Sequence, residues 1–193
     1  MDLDRIIHLL THFKGIVVVD EAYIDFTDKP SVLELVGDFP NLVVMQTFSK
    51  AWGLAGIRLG MAFTSPVIVQ YLNKVKPPYN INVLTQKAAL QALDNEQNKQ
   101  DWVAELVTQR QVLREKLGKY PFVEKVFPSE TNFLLVRVND PNQLYQYLIK
   151  QKIIVRNRST TLKCEGCLRF TIGNPTENER LIQALNTYQE TNL

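Results

Sequence analysis

The chain has 193 residues, 45% of them hydrophobic and 22% charged, with a formal net charge of +2. That length supports one sizeable core, or one domain plus part of another, and the small, dispersed charge argues against a nucleic-acid footprint. No apolar run reaches the length of a membrane span, and two cysteines without a secretory leader point to a reducing cytoplasm.

Leu3, Ile6, Ile7, Leu10 and Phe13 recur at helical spacing and predict an opening amphipathic helix stopped by Gly15. His8 and His12 lie one turn apart on it. The residues between them are Leu-Leu-Thr, and no third ligand is apparent, so no metal site is expected. Residues 16–19 read as a buried strand of the parallel type, ending in Asp20-Glu21-Ala22-Tyr23. A carboxylate there either caps the next turn or faces a ligand, because α/β sheets bind ligands at the carboxyl ends of their strands. Ser31, after Pro30, reads as the N-cap of a short helix.

The strongest signal is the stretch 46–60, QTFSKAWGLAGIRLG. The apolar run from Leu42 to Met45 leads into it as a buried strand. Thr47 and Ser49 precede Lys50, small residues follow, and Arg58 and Gly60 close the stretch. Lys50 is either a loop lysine, with Arg58 solvated, or an amine nucleophile that forms a Schiff base with a carbonyl. In the second reading Thr47, Ser49 and Arg58 hold a phosphate, and the glycines let backbone approach it closely. Spacing alone leaves both open.

Residues 57–64 predict a strand containing Arg58, and residues 67–75 a helix. Pro77-Pro78 then forbids a continuous helix, and Tyr79 and Asn80 serve either the turn or a ligand. Helices follow at 83–95 and 99–119. The second carries Trp102, Leu106, Val107, Leu113 and Leu117 on one stripe and links two domains. From Phe122 the pattern is α+β, with strands at 123–127, 132–138, 153–155 and 168–172 and helices at 142–150 and 176–188. Thr176 reads as the N-cap of the last helix, with a capping-box glutamate. Arg156 follows a strand and Arg169 sits inside one; each either faces water or grips an anion. Cys164-x-x-Cys167 supplies too few ligands for a structural zinc and reads as a loop.

The order T-x-S-K-x-x-G-L-A-G-x-R-x-G (47–60) resembles the cofactor-lysine segment of fold type I pyridoxal-phosphate aminotransferases. VVVDEAYIDF (17–26) resembles a segment of the histidinol-phosphate aminotransferases among them, and LRFTIGNPTEN (168–178) that family's carboxylate-binding segment. The resemblance implies an α/β fold. Residues 1–120 would be part of the large cofactor-binding domain, a mostly parallel sheet with helices, and 121–193 a small C-terminal α+β domain. It implies pyridoxal 5'-phosphate on Lys50, with Asp20 on the pyridine nitrogen, Tyr23 near the ring's 3-oxygen, and Thr47, Ser49 and Arg58 on the phosphate. Arg169 would grip a substrate carboxylate and Arg156 the phosphate end of the substrate. Asn132 resembles a family position that either touches substrate or bonds at the strand end. The implied reaction is transamination of L-histidinol phosphate with 2-oxoglutarate in histidine biosynthesis, by a cytoplasmic enzyme that is a homodimer when complete.

The resemblance covers only the later part of that family's chain. Its phosphate-binding helix N-terminus, ring-stacking aromatic, 3-oxygen asparagine and partner-donated tyrosine are not identifiable here. The expectations therefore include a truncated or split, catalytically incomplete fragment. A related aminotransferase or a phosphothreonine decarboxylase is a further alternative. Few large-domain strands are predicted, which implies an unpaired sheet edge and a chain that self-associates, recruits an N-terminal partner chain or binds cofactor weakly.

Overall fold

A computed structural model describes residues 2–192, in two units, Met1–Lys99 and Gln100–Leu193. In the first unit Asp2 caps α1 (Leu3–His12) by accepting from the Asp4 N–H, which satisfies one of the helix's orphan donors. Ile6 and Leu10 on its inner stripe are buried against Val17, Val32, Leu42 and Val44. The helix ends at Phe13, in extended conformation. Asn41 donates from one amide nitrogen toward the carbonyls of Leu10, Phe13 and Gly15, so the last turn and the entry to the next strand share one anchor.

β1 (Val17–Asp20) runs parallel to β2 (Leu42–Thr47), with Val18 opposite Val43 and Asp20 opposite Met45. β3 (Gly60–Thr64) pairs with the other side of β2 and runs antiparallel, with Thr47 opposite Gly60. The sheet, in the order β1-β2-β3, is therefore mixed. The predicted strand over 57–64 is corrected at its start. Ala55–Ile57 form a turn of 3₁₀ helix, and Arg58 has φ 57°, outside any strand. Ser31 does cap a short helix, the 3₁₀ segment Val32–Gly37, by accepting from the Leu33 N–H.

Val17, Leu42 and Val44 form the sheet's core side. On the other side Val43 is buried but Val18 is 53% exposed and Met45 39%, so β1 is not buried on both faces as its β-branched run predicts. β1 is also one of the sheet's two edge strands. α2 (Pro66–Val75) buries no residue, and α3 (Val83–Leu93) buries only Thr85 and Ala89.

The division between the two units falls inside α4 (Glu96–Leu117). Of the predicted stripe on this helix, Leu113 and Leu117 are buried in the second core, Leu106 packs at its margin, and Trp102 is 55% exposed. The second unit is an antiparallel sheet in the order β4-β5-β7-β6, formed by β4 (Val123–Val126), β5 (Phe133–Val138), β7 (Cys167–Thr171) and β6 (Arg156–Asn157). α5 (Pro141–Lys150) and α6 (Pro175–Asn192) close its core with Leu144, Leu148, Leu181 and Leu185. The predicted strand at 153–155 lies outside the sheet, which is joined only at Arg156. The predicted cap at Thr176 is also corrected. Asn174 accepts from the Glu177 N–H while Glu177 accepts from the Asn174 N–H. That is a capping box with Pro175 in the first helical position, where its missing N–H does no harm.

An edge strand beside an open apolar face is a template for pairing with another chain. The chain is expected to self-associate in light scattering, and Val18→Lys, which puts a charge on that face, is expected to shift it toward monomer. A monodisperse monomer that Val18→Lys leaves unchanged would refute this use of the edge.

Candidate active site

The turn after β2 is shaped by internal bonds. The Thr47 hydroxyl donates to the Leu59 carbonyl (3.1 Å) and accepts from the Ser49 N–H (3.0 Å). Phe48 and Ala51 are buried, the Phe48 N–H reaches the Leu59 carbonyl, and the Gly53 N–H reaches that of Lys50. Gly53 takes φ 66°, which glycine adopts without strain. Between the two buried side chains stand Ser49 and Lys50, both partly exposed. The Lys50 ammonium lies 5.1 Å from the centroid of the Tyr23 ring, a cation–π contact between this turn and the segment after β1.

Asp20, the last residue of β1, is exposed, and its Oδ1 accepts from the Ala22 N–H (2.9 Å). The turn-capping role is thus realised. The other carboxylate oxygen takes no part in that bond. Arg58 is exposed, and its Nη1 donates to the Ala55 carbonyl (2.9 Å). It precedes a strand antiparallel to β2, so the start of β3 lies beside the end of β2. Asp20, Tyr23, Thr47, Ser49, Lys50 and Arg58 are therefore gathered at one end of the first sheet. Arg58 arrives there just before the start of an antiparallel strand.

Glu21 is a residue that sequence reasoning passed over. It is 8% exposed. Its carboxylate accepts from the Ser31 hydroxyl (2.6 Å), the Val32 N–H (2.7 Å) and the Gln46 amide (3.0 Å), and its own N–H reaches the Met45 carbonyl. One side chain thus ties the end of β1 to the 3₁₀ segment and to the end of β2. The available signal was a second carboxylate directly after an apolar strand.

In the second unit Arg156 on β6 and Arg169 on β7 are register partners. The Arg169 guanidinium stacks over Phe133 at 4.9 Å and is partly buried, between Leu168 and Phe170 that face the core. Like charges directly opposite on neighbouring strands repel, and an anion between them would relieve that repulsion. Asn132 precedes β5, and its carbonyl accepts from the Ile172 N–H. Cys167 is fully buried, and burial pushes its thiol up despite Arg137 beside it. Cys164 is partly exposed, and both thiols are free. His8 and His12 stack on each other at 4.1 Å. Among the described residues no group of three potential metal ligands occurs, and no helix is long and apolar enough to cross a membrane.

A lysine-bearing turn and a carboxylate-ended strand meet at one sheet end, the place where α/β enzyme domains bind ligands. The chain belongs to the family of class I and II aminotransferases, whose model matches residues 1–185; the family uses pyridoxal phosphate. It is 51% identical over 188 residues to the histidinol-phosphate aminotransferase of Cytophaga hutchinsonii, covering 97% of this chain and 54% of that protein. It is 52% identical over 185 residues to the one from Parabacteroides distasonis, covering 96% and 54%. The chain thus spans about half the length of these relatives. Among solved structures it superposes on the histidinol-phosphate aminotransferase of Clostridium acetobutylicum with a TM-score of 0.91 at 26% identity, covering 99% of this chain and 60% of that one. The L-threonine-O-3-phosphate decarboxylase of Porphyromonas gingivalis shares the fold, with a TM-score of 0.87 at 24% identity, covering 98% and 60%.

Removing the Glu21 carboxylate leaves the Val32 N–H and the Gln46 amide without their acceptor. Glu21→Ala is therefore expected to destabilise the first unit by about 1–3 kcal/mol. Thermal unfolding checks this, and an unchanged Tm would refute the clamp.

Proposed function

We propose that this chain carries the lysine-bearing and anion-gripping part of a pyridoxal-phosphate-dependent transaminase acting on L-histidinol phosphate and 2-oxoglutarate in histidine biosynthesis. The observation that carries this reading is the Lys50 ammonium against the Tyr23 ring, at the sheet end where β1 delivers Asp20. The donor set fits the cofactor. It offers an amine for the aldehyde, a carboxylate for the pyridine nitrogen, a phenol for the 3-oxygen, and a guanidinium and hydroxyls for the phosphate.

The cofactor, when bound, withdraws electrons from the substrate carbon. Asp20, with one oxygen outside the Ala22 bond, keeps a proton on the ring nitrogen and so keeps the ring cationic. Tyr23 donates to the ring oxygen. Ser49, whose hydroxyl makes no hydrogen bond to the described protein, and Arg58 hold the phosphate. The Thr47 hydroxyl is committed to Leu59; it braces the turn and would have to turn from that carbonyl to donate to a phosphate. Lys50 would hold the cofactor's aldehyde through its amine and, as a free amine, would move a proton at its Nζ as general base and acid. Arg169, pre-oriented over Phe133, suits a planar carboxylate. Arg156 opposite it adds charge for a phosphate.

Turnover is proposed for the assembly in which this chain and a segment supplying the rest of its relatives' length act together, as a cytoplasmic homodimer. Alone, the chain is proposed to be catalytically incomplete. The domains are proposed as residues 1–120, part of the large cofactor-binding domain, and 121–193, the small one.

Titrating pyridoxal 5'-phosphate into the chain should shift the cofactor's absorbance, and Lys50→Ala should abolish the shift. In the complemented enzyme Arg169→Ala is expected to raise KM for 2-oxoglutarate about 10- to 100-fold, the worth of a charge-assisted bidentate contact. An absorbance shift that survives Lys50→Ala would overturn the nucleophile. Unchanged kinetics in Arg169→Ala would overturn the anion grip.

A further inference from the structure

Lys99, at the start of α4, has no part in the reading above. Its side chain is 15% exposed, a low value for a lysine, whose ammonium ordinarily stays in water. Its Nζ lies 3.1 Å from Asp25 Oδ1 and 3.7 Å from Glu96 Oε1. The same ammonium sits 5.0 Å from the centroid of the Trp52 ring. Asp25 belongs to the 3₁₀ turn Ile24–Phe26, which Tyr23 caps. Trp52 stands two residues after Lys50, and its ring packs on buried Phe48 at 5.4 Å. One ammonium therefore touches both loops that carry the candidate cofactor-binding groups.

We propose that Lys99 is a positioning residue for Lys50. It cross-ties the Tyr23 loop to the Lys50 turn through Asp25 and Trp52. The tie spans the same two loops as the Lys50–Tyr23 contact, so it holds the Lys50 amine where the ring of Tyr23 and the carboxylate of Asp20 can reach a common ligand. Asp25 anchors the ammonium by charge, and the indole face adds a desolvated cation–π contact. Small losses of alignment at a reacting amine weaken its reaction strongly. An arginine can make both contacts, because its guanidinium pairs with carboxylates and stacks on rings. A methionine keeps the apolar stem and makes neither charged contact.

The proposal rests on Lys50 being the reactive amine, and the test separates the two claims. In a Trp102→Phe background Trp52 is the single tryptophan, since the chain has two. Wild type, Lys99→Met, Lys99→Arg and Asp25→Asn are compared in that background, with circular dichroism melts to establish folding. Acrylamide quenching of Trp52 emission reads the cross-tie. Pyridoxal 5'-phosphate with borohydride, followed by peptide mass mapping, reads how selectively Lys50 is labelled against the other lysines. Lys99→Met is expected to raise Trp52 quenching about twofold and to lower Lys50 selectivity about tenfold, the equivalent of one desolvated cation–π and ion-pair contact. Asp25→Asn should do the same in part, and Lys99→Arg should restore both. If Lys99→Met fails to fold, Asp25→Asn carries the comparison. Wild-type selectivity at Lys50 that persists in a folded Lys99→Met or Asp25→Asn overturns the positioning role alone. A wild-type chain that labels Lys50 no faster than its other lysines overturns the cofactor reading, and the positioning role with it.

Discussion

The carboxylate of Glu21 is the constraint on which the candidate functional end of the first sheet depends. It is buried, and it accepts from a hydroxyl, a backbone N–H and a side-chain amide on three different stretches of chain. Desolvating a carboxylate is costly unless its lone pairs are occupied, so the three donors have little freedom to leave. The register between the ends of β1 and β2 follows, with Asp20 opposite Met45. The neighbours of Glu21 inherit that order. Asp20 ends exposed at the sheet's rim, and Tyr23 turns back to meet the ammonium of Lys50.

The Lys50 turn is held by a different device. Its two buried side chains, Phe48 and Ala51, and the Thr47 hydroxyl bonded to Leu59 fold the turn onto itself. The polar residues between are left at the surface of that plug. The reversal of β3 then returns the chain to the same sheet end, and Arg58 in left-handed conformation sits at the corner. A non-glycine residue held at positive φ is uncommon, and such residues cluster at functional sites. This one coincides with the phosphate-holding position that the family resemblance implies.

The second unit solves a separate problem, that of keeping two cations side by side. Arg169 is flanked along β7 by Leu168 and Phe170, which face the core, so its own side chain emerges on the opposite face, above Phe133. Arg156 is brought beside it by the register of β6 against β7. The aromatic face offsets part of the charge. An antiparallel sheet with a deep core of leucines from α4, α5 and α6 gives those two side chains a rigid platform.

Much of this was legible without coordinates, because the signals are local. Apolar spacing gave α1, and hydroxyls, lysine and glycines in a fixed order after an apolar run singled out the candidate turn. The aspartate at the end of a β-branched run marked the candidate ligand-binding end of the sheet. Those features depend on residues within one or two turns of one another, so the chain's own order determines them. The tertiary structure decided the rest. The direction of β3, and hence the route of Arg58, is set by its antiparallel pairing with β2, and a five-residue strand reads the same in both directions. The cap of α6 went to Asn174 because Pro175 fits the first helical position. The buried role of Glu21 and the bridging role of Lys99 require partners far away in the chain. Hydrogen bonds and cation–π contacts act over a few ångströms of space, and only folding brings Ser31, Gln46 and Val32 to one carboxylate, or Asp25 and Trp52 to one ammonium.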